Sequence, residues 1–398
     1  MTAGVAADPR GALLGVYRPA EPLFVRGEGS TLVDEDGKRY LDFTSGIAVT
    51  ALGHGHPAIR AAVERALDTG LIHTSNLFRT APAEELAHRL AELSGLDRVF
   101  FCNSGGESVE AALKFARRWA GRNREGEAGP RHRIIALRGA FHGRLFGSLA
   151  VTDREAYQAP FRPLMPGVTF IDPEEPAALD EVDPSDVAAL IAEPIQGEGG
   201  VRCLSAETLR HFRSWTQANG VALILDEVQC GLGRTGHVFA FESAGIRPDL
   251  LTLAKPLAGG LPMGAVVMTE DVAEAIQPGD HGTTFGGGPL VASVANAVVN
   301  QVSDPDSLAQ VQEMGRKLHG LLRGLQERHP EEVEALRGRG LMWGVQIRGE
   351  AGAVMKRARE AGLLVVPAGD HVIRLLPPLT VSSHELERAV TILGANLP

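Results

Sequence analysis

Five short apolar runs, set between stretches with helical spacing, do most to limit what this chain can become. They are RVFFCN at 98–103, RIIAL at 133–137, VAALIAEP at 187–194, VALILDE at 221–227 and DLLTLAK at 249–255. Each is largely β-branched or aliphatic and lacks the polar alternation of a half-exposed strand. Most follow helical segments such as ETLRHFRSWTQANG at 207–220. Continuous apolar strands alternating with helices predict an α/β fold with a mainly parallel central sheet covered on both faces.

The flanks read differently. Residues 22–44 alternate and turn, as short antiparallel strands joined by Gly-rich and DEDG turns. After Pro289 the spacing predicts helices near 291–301 and 305–327. LMWGVQI, LLVVPAG and HVIRLLPPL then read as strands, with a last helix near 383–396. The expected organisation is a large domain over 51–290 and a smaller α+β domain assembled from 1–50 and 291–398.

Charge and composition exclude several function classes. A net charge of −10 with the signs mixed along the chain argues against nucleic-acid or anionic-membrane partners. Gly282–Ser303 carries no charge, but its glycine-rich opening together with Asn296, Asn300 and Gln301 disfavours a membrane span. Three cysteines with no CxxC spacing point to neither a disulfide framework nor a structural metal site, and a cytoplasmic protein is expected. MTAGVAADPRG at the start shows no apolar secretory segment.

Ligands of open α/β sheets bind beyond the carboxyl ends of the strands. Here VALILDE carries Asp226 at such an end and DLLTLAK finishes in Lys255. Alone, each reads as a cap or a surface residue. Together they suit pyridoxal phosphate, which needs a lysine amine for its Schiff base and a carboxylate to keep its ring nitrogen protonated. Gly105 and Gly106, between a strand and a helix, could offer free amides to a phosphate. Phe141 could cover a flat ring, and Arg144 could fork onto a substrate carboxylate. His142 between them reads as an ordinary loop histidine.

SGG-E at 104–107, FHGR at 141–144, EPIQGEGG at 193–200, DEVQ at 226–229, LAK at 253–255, HGTTFGG at 281–287 and IRLLPPL at 373–379 occur in order. That series, spanning nearly the whole chain, resembles the class III, fold-type-I pyridoxal-phosphate aminotransferases, especially those acting on acetylornithine, ornithine and lysine-pathway amines. The resemblance implies that Lys255 binds the cofactor covalently and moves protons, and that Asp226 holds the ring nitrogen. Glu227, Val228 and Gln229 also belong to the cofactor-binding set, with Gln229 at the phenolic oxygen. Phe141 stacks on the ring, Gly105 and Gly106 bind phosphate, and Thr284 reaches the phosphate of a partner subunit. Thr283 lies near substrate, and Arg144 takes the distal carboxylate of the amine donor.

Glu198 and Arg374 match a pair that lets such an enzyme alternate between donors. An ω-amine has no carboxylate beside its reacting carbon, whereas 2-oxoglutarate does. An uncovered arginine would disfavour the first substrate, so a glutamate masks it and swings away for the second. The implied activity is transfer of an amino group from acetylornithine or a related ω-amine to 2-oxoglutarate, giving glutamate, in a homodimer with shared sites and in arginine biosynthesis. Other class III ω-aminotransferases are alternatives. A glutamate-semialdehyde aminomutase has no use for this pair, and a non-catalytic protein has none for Lys255 and Asp226. The chain departs from the family where Gly106 replaces a usual threonine, Thr50 and Gly288 usual asparagines, and Cys230 a hydroxyl residue. Arg79 adds a cation expected near the pocket mouth.

Overall fold

The computed structural model describes residues 12–17, 19–122 and 131–397. Its core is a seven-stranded sheet. In spatial order the strands are Arg98–Cys102, Gly264–Met268, Leu250–Leu253, Ala222–Asp226, Val187–Ala192, Arg133–Leu137 and Val168–Ile171. All run parallel except Gly264–Met268, which is antiparallel to both neighbours. Every residue of Val187–Ala192, Ala222–Asp226 and Leu250–Leu253 is buried. That burial is why these strands need apolar side chains on both faces.

The fold class is as expected, and the two additional strands of this sheet are Gly264–Met268 and Val168–Ile171. Only a loop separates Gly264–Met268 from Leu250–Leu253. Without a crossover helix the chain returns antiparallel. Asp226, Lys255, Gly105, Glu193 and the 138–145 loop all follow the carboxyl ends of parallel strands, which places them along one edge of the sheet.

The N-terminal strands Phe24–Glu28, Thr31–Asp34 and Arg39–Asp42 form the expected antiparallel meander. In its DEDG turn, Asp34 Oδ1 accepts from the amides of Asp36 (3.1 Å) and Lys38 (2.8 Å), and Gly37 takes φ +81°. Leu363–Leu364, from the C-terminal third, joins this sheet parallel to Arg39–Asp42. Val333–Arg339, Met342–Ile347, Val372–Leu375 and Val366–Pro367 make a separate antiparallel sheet that holds Arg374 on an inner strand. The uncharged stretch before Ser303 becomes the helix Pro289–Val302, packed on Pro57–Asp68 and Ala81–Ser94. Among the described residues, no helix is long and apolar enough to cross a membrane.

Candidate active site

A cavity of about 310 Å³ opens at this sheet edge, lined by Gly105, Gly106, Phe141, His142, Glu193, Asp226, Val228, Gln229 and Lys255 among others. Asp226 is anchored on both oxygens. Oδ1 accepts from Val228 N (3.0 Å) and Thr252 Oγ1 (3.1 Å), and Oδ2 lies 2.7 Å from His142 Nδ1. The His142 ring is buried, and its Nε2 has no partner among the described residues. A carboxylate oxygen can only accept, so Nδ1 carries the proton and donates to Asp226. Burial alone would lower the His142 pKa, but the Asp226 hydrogen bond and the Asp226 and Glu193 charges outweigh it, and the pKa lies above the ordinary value. His142 is thus a functional neighbour that the sequence reading passed over. Its position beside Phe141, after a strand end, was the available signal.

Lys255 is half-buried, and desolvation together with the Arg374 charge lowers its pKa despite opposition from Glu198 and Asp226. A lysine so placed more readily loses its proton and becomes a nucleophile. Gly105 starts the helix Gly105–Gly121, whose N-cap Ser104 Oγ accepts from Glu107 N. A Cβ at Gly105 would stand 2.8 Å from Val228, so only glycine lets the helix start approach the cavity wall. The first amides of a helix have no intrahelical acceptor and suit an anion. Gly106 has ordinary room beside Leu145, so the missing threonine is not enforced by packing.

Arg374 is 1% exposed and meets Glu198 Oε1 at 2.7 Å. It also donates to Gln229 Oε1 (2.8 Å) and Pro367 O (3.2 Å), while its Nε is unpartnered among the described residues. Glu198 is the more exposed member of the pair, the one free to leave. It sits at the tip of a short hairpin, Ile195–Gln196 with Arg202–Cys203, and its carbonyl accepts from Arg154 Nη2 (2.7 Å). Arg144 lies outside the cavity lining, with its guanidinium 3.4 Å from the centre of the Tyr157 ring and 5.7 Å from that of Phe141. Tyr157 is a second residue absent from the sequence reading.

Other expected residues stand further off. The Glu227 carboxylate accepts from Ala240 N (2.7 Å) and Phe241 N (2.8 Å) and caps that turn rather than lining the cavity. Thr283 Oγ1 accepts from Asn103 Nδ2 (3.0 Å), tying its loop to the strand end beside Gly105. Thr284 is exposed and does not line this cavity. Arg79 is 88% exposed, pairs with Glu84 through two hydrogen bonds and lines a different depression. The Thr50 hydroxyl is buried without a partner among the described residues.

The half-buried amine, the anchored carboxylate and the helix-start amides are the donor set that pyridoxal phosphate requires. The family model for class-III aminotransferases matches residues 17–397. The chain belongs to the class-III aminotransferases. Enzymes of this class depend on pyridoxal phosphate, and the residues present fit that group. An acetylornithine aminotransferase (mitochondrial) of Alnus glutinosa is 44% identical over 97% of this chain and 86% of its own length. The crystal structure of the ornithine aminotransferase of Toxoplasma gondii superposes with TM-score 0.92 at 31% identity, covering 97% of this chain and 92% of the other. That of N-acetylornithine aminotransferase from Stenotrophomonas maltophilia gives TM-score 0.83 at 34% identity, covering 95% and 96%.

Proposed function

We propose that this class-III aminotransferase moves the ω-amino group of N2-acetylornithine, or of a closely related acylated diamine, to 2-oxoglutarate, as a step in arginine biosynthesis. The observation that carries the reading is the Glu198–Arg374 pair, a buried arginine covered by a more exposed carboxylate. With Glu198 in place the arginine's charge is matched, and an ω-amine without an α-carboxylate can sit beside it. When Glu198 leaves, Arg374 offers a guanidinium fork to the α-carboxylate of glutamate or 2-oxoglutarate.

Pyridoxal phosphate, when bound, supplies an electron-withdrawing ring that makes the substrate's C–H bond acidic. Asp226, held by His142, Thr252 and the Val228 amide, would turn its carboxylate to the ring nitrogen. Lys255 would hold the cofactor and carry the proton, which its lowered pKa favours. Phe141 and Val228 would wall the ring, and the Gly105 and Gly106 amides would take the phosphate. Arg144, laid on Tyr157, takes the donor's distal carboxylate. Thr284 serves the partner's site in a homodimer, a reading supported by its exposure beside Phe285, which is 65% exposed.

The test is a donor panel with the purified enzyme, pyridoxal phosphate and 2-oxoglutarate. Acetylornithine should give a higher kcat/KM than ornithine, succinylornithine, γ-aminobutyrate or simple alkyl amines. A clear preference for γ-aminobutyrate or an uncarboxylated amine would sink the assignment. A preference for ornithine would move it to the activity named for the Toxoplasma neighbour.

A further inference from the structure

Glu193 has no part in the roles above, yet it lines the cavity and is buried. It follows directly on the strand Val187–Ala192, and its two oxygens serve different loops. Oε1 accepts from Phe141 N (2.9 Å), and Oε2 accepts from Gly197 N (3.2 Å). The first amide belongs to the residue whose ring walls the cavity. The second belongs to the residue just before Glu198. We propose that Glu193, in its charged form, is a positioning residue that clamps the Phe141 wall to the loop bearing Glu198, so that the ring-binding face and the carboxylate gate hold one relative position.

The surroundings favour a clamp over an incidental contact. Gly197 has no space for a side chain, because the Gln229 amide group occupies it. Gln229 in turn accepts from Arg374, and Arg374 meets Glu198. Phe141, Glu193, Gly197, Glu198, Arg374 and Gln229 therefore form one continuous chain of contacts. The hairpin tip has its other anchor at Arg154, on the Glu198 carbonyl, so Glu193 fixes only the inner end. A burial this complete is costly for a carboxylate that is not hydrogen-bonded on both oxygens. Charge-assisted bonds are roughly twice as strong as neutral ones, so the clamp depends on ionisation.

The titratable groups coupled to Glu193 are His142 after the 133–137 strand, Asp226 at the end of 222–226, Lys255 after 250–253, and the Cys230 thiol in the turn beyond Asp226, which burial keeps neutral. Burial, with Asp226 adding to it and His142 opposing, pushes the Glu193 pKa up to about 7. The clamp therefore holds above that pH and slackens below it.

This inference rests on the reading that Glu198 covers Arg374, and the two can fail separately. Hydrogen exchange on the purified enzyme reads the clamp itself. In Glu193→Ala the amides of Phe141 and Gly197 should both exchange about tenfold faster or more. In Glu193→Gln, which folds more safely, one of the two should accelerate, since the amide keeps a single acceptor oxygen. Stopped-flow of each half-reaction reads the consequence. The ratio of the glutamate rate to the ω-amine rate should change with an inflection near pH 7 in the wild type and run flat in Glu193→Gln. Wild-type exchange at both amides in these variants overturns the proposal. So does an inflection that survives Glu193→Gln or is absent from the wild type. Failure of the gate reading has its own signature, an unchanged ratio in Glu198→Ala.

Discussion

Asp226 accepts three hydrogen bonds from the protein alone, and that determines what an amide in its place would do. In Asp226→Asn the side chain can keep Val228 N and Thr252 Oγ1 on its oxygen, but its NH₂ group then faces His142 Nδ1. Either His142 changes tautomer or the contact is lost, and no negative charge remains to face the ring nitrogen. The expected cost is about 3 kcal/mol or more in the barrier, roughly a hundredfold in single-turnover rate. Near-normal single turnover would reduce Asp226 to a cap. Glu227, its neighbour, makes a prediction about stability instead. Burial pushes the Glu227 pKa up from 4.5 to about 8, against the opposing amides of Ala240 and Phe241. A carboxyl that binds its proton more tightly when folded contributes stability below its unfolded pKa and loses it as pH rises through the folded one. Thermal stability should therefore fall between about pH 5 and about pH 8, with Glu193 adding in the same direction. Glu227→Gln should flatten that slope. An unchanged slope in melting curves across this range would assign the pH dependence elsewhere.

At the scale of elements, the loop that leaves Arg133–Leu137 lays Arg144 on Tyr157, a placement we propose sets donor specificity. A guanidinium stacked on the Tyr157 ring is held flat and keeps its N–H edge for a carboxylate. Tyr157→Phe keeps the ring and should change little. Tyr157→Ala removes the support and should raise KM for acetylornithine by about tenfold, a loss of roughly 1.4 kcal/mol, with kcat nearly unchanged. Equal KM effects on an uncarboxylated amine would detach Tyr157 from substrate recognition. The central strands of the sheet were legible from the sequence, because continuous apolar runs at Val187–Ala192, Ala222–Asp226 and Leu250–Leu253 leave no solvent face to confuse the reading. Gly264–Met268 and Val333–Arg339 were not, one for want of a preceding helix and the other because LRGR reads as polar. Asp226 and Lys255 were legible because each stands at a strand end. His142, Glu193 and Tyr157 were harder to read, since each matters through a partner 84, 52 or 13 positions away, a proximity that only the folded chain creates.

Taken as a whole molecule, the chain leaves apolar side chains exposed on segments that also carry the proposed shared-site residues. Leu77 and Phe78 are 86% and 71% exposed, and Phe285, next to Thr284, is 65% exposed. The Phe285 ring lies 5.2 Å from that of His73, and the Asn76 side-chain amide donates to the Thr283 carbonyl, so these segments form one continuous surface. Isolated exposed apolar residues need no explanation, but large ones grouped beside a loop expected to reach another subunit's phosphate suggest a covered face. We propose that a second copy of this chain covers that face, since a two-fold contact would set the same patch against itself and could carry each Thr284 to the other subunit's cavity. Phe285→Lys, with Leu77→Lys added, should then halve the mass seen by sedimentation equilibrium at micromolar concentration. On the proposed shared site, the same variant should bind pyridoxal phosphate much more weakly, because each phosphate site would lose Thr284 of the other copy while Lys255, Asp226 and His142 stay in place. If the mass halves and cofactor affinity holds, each subunit's site is complete in itself and the shared-site reading falls. If the mass is unchanged, the subunit contact lies on another face.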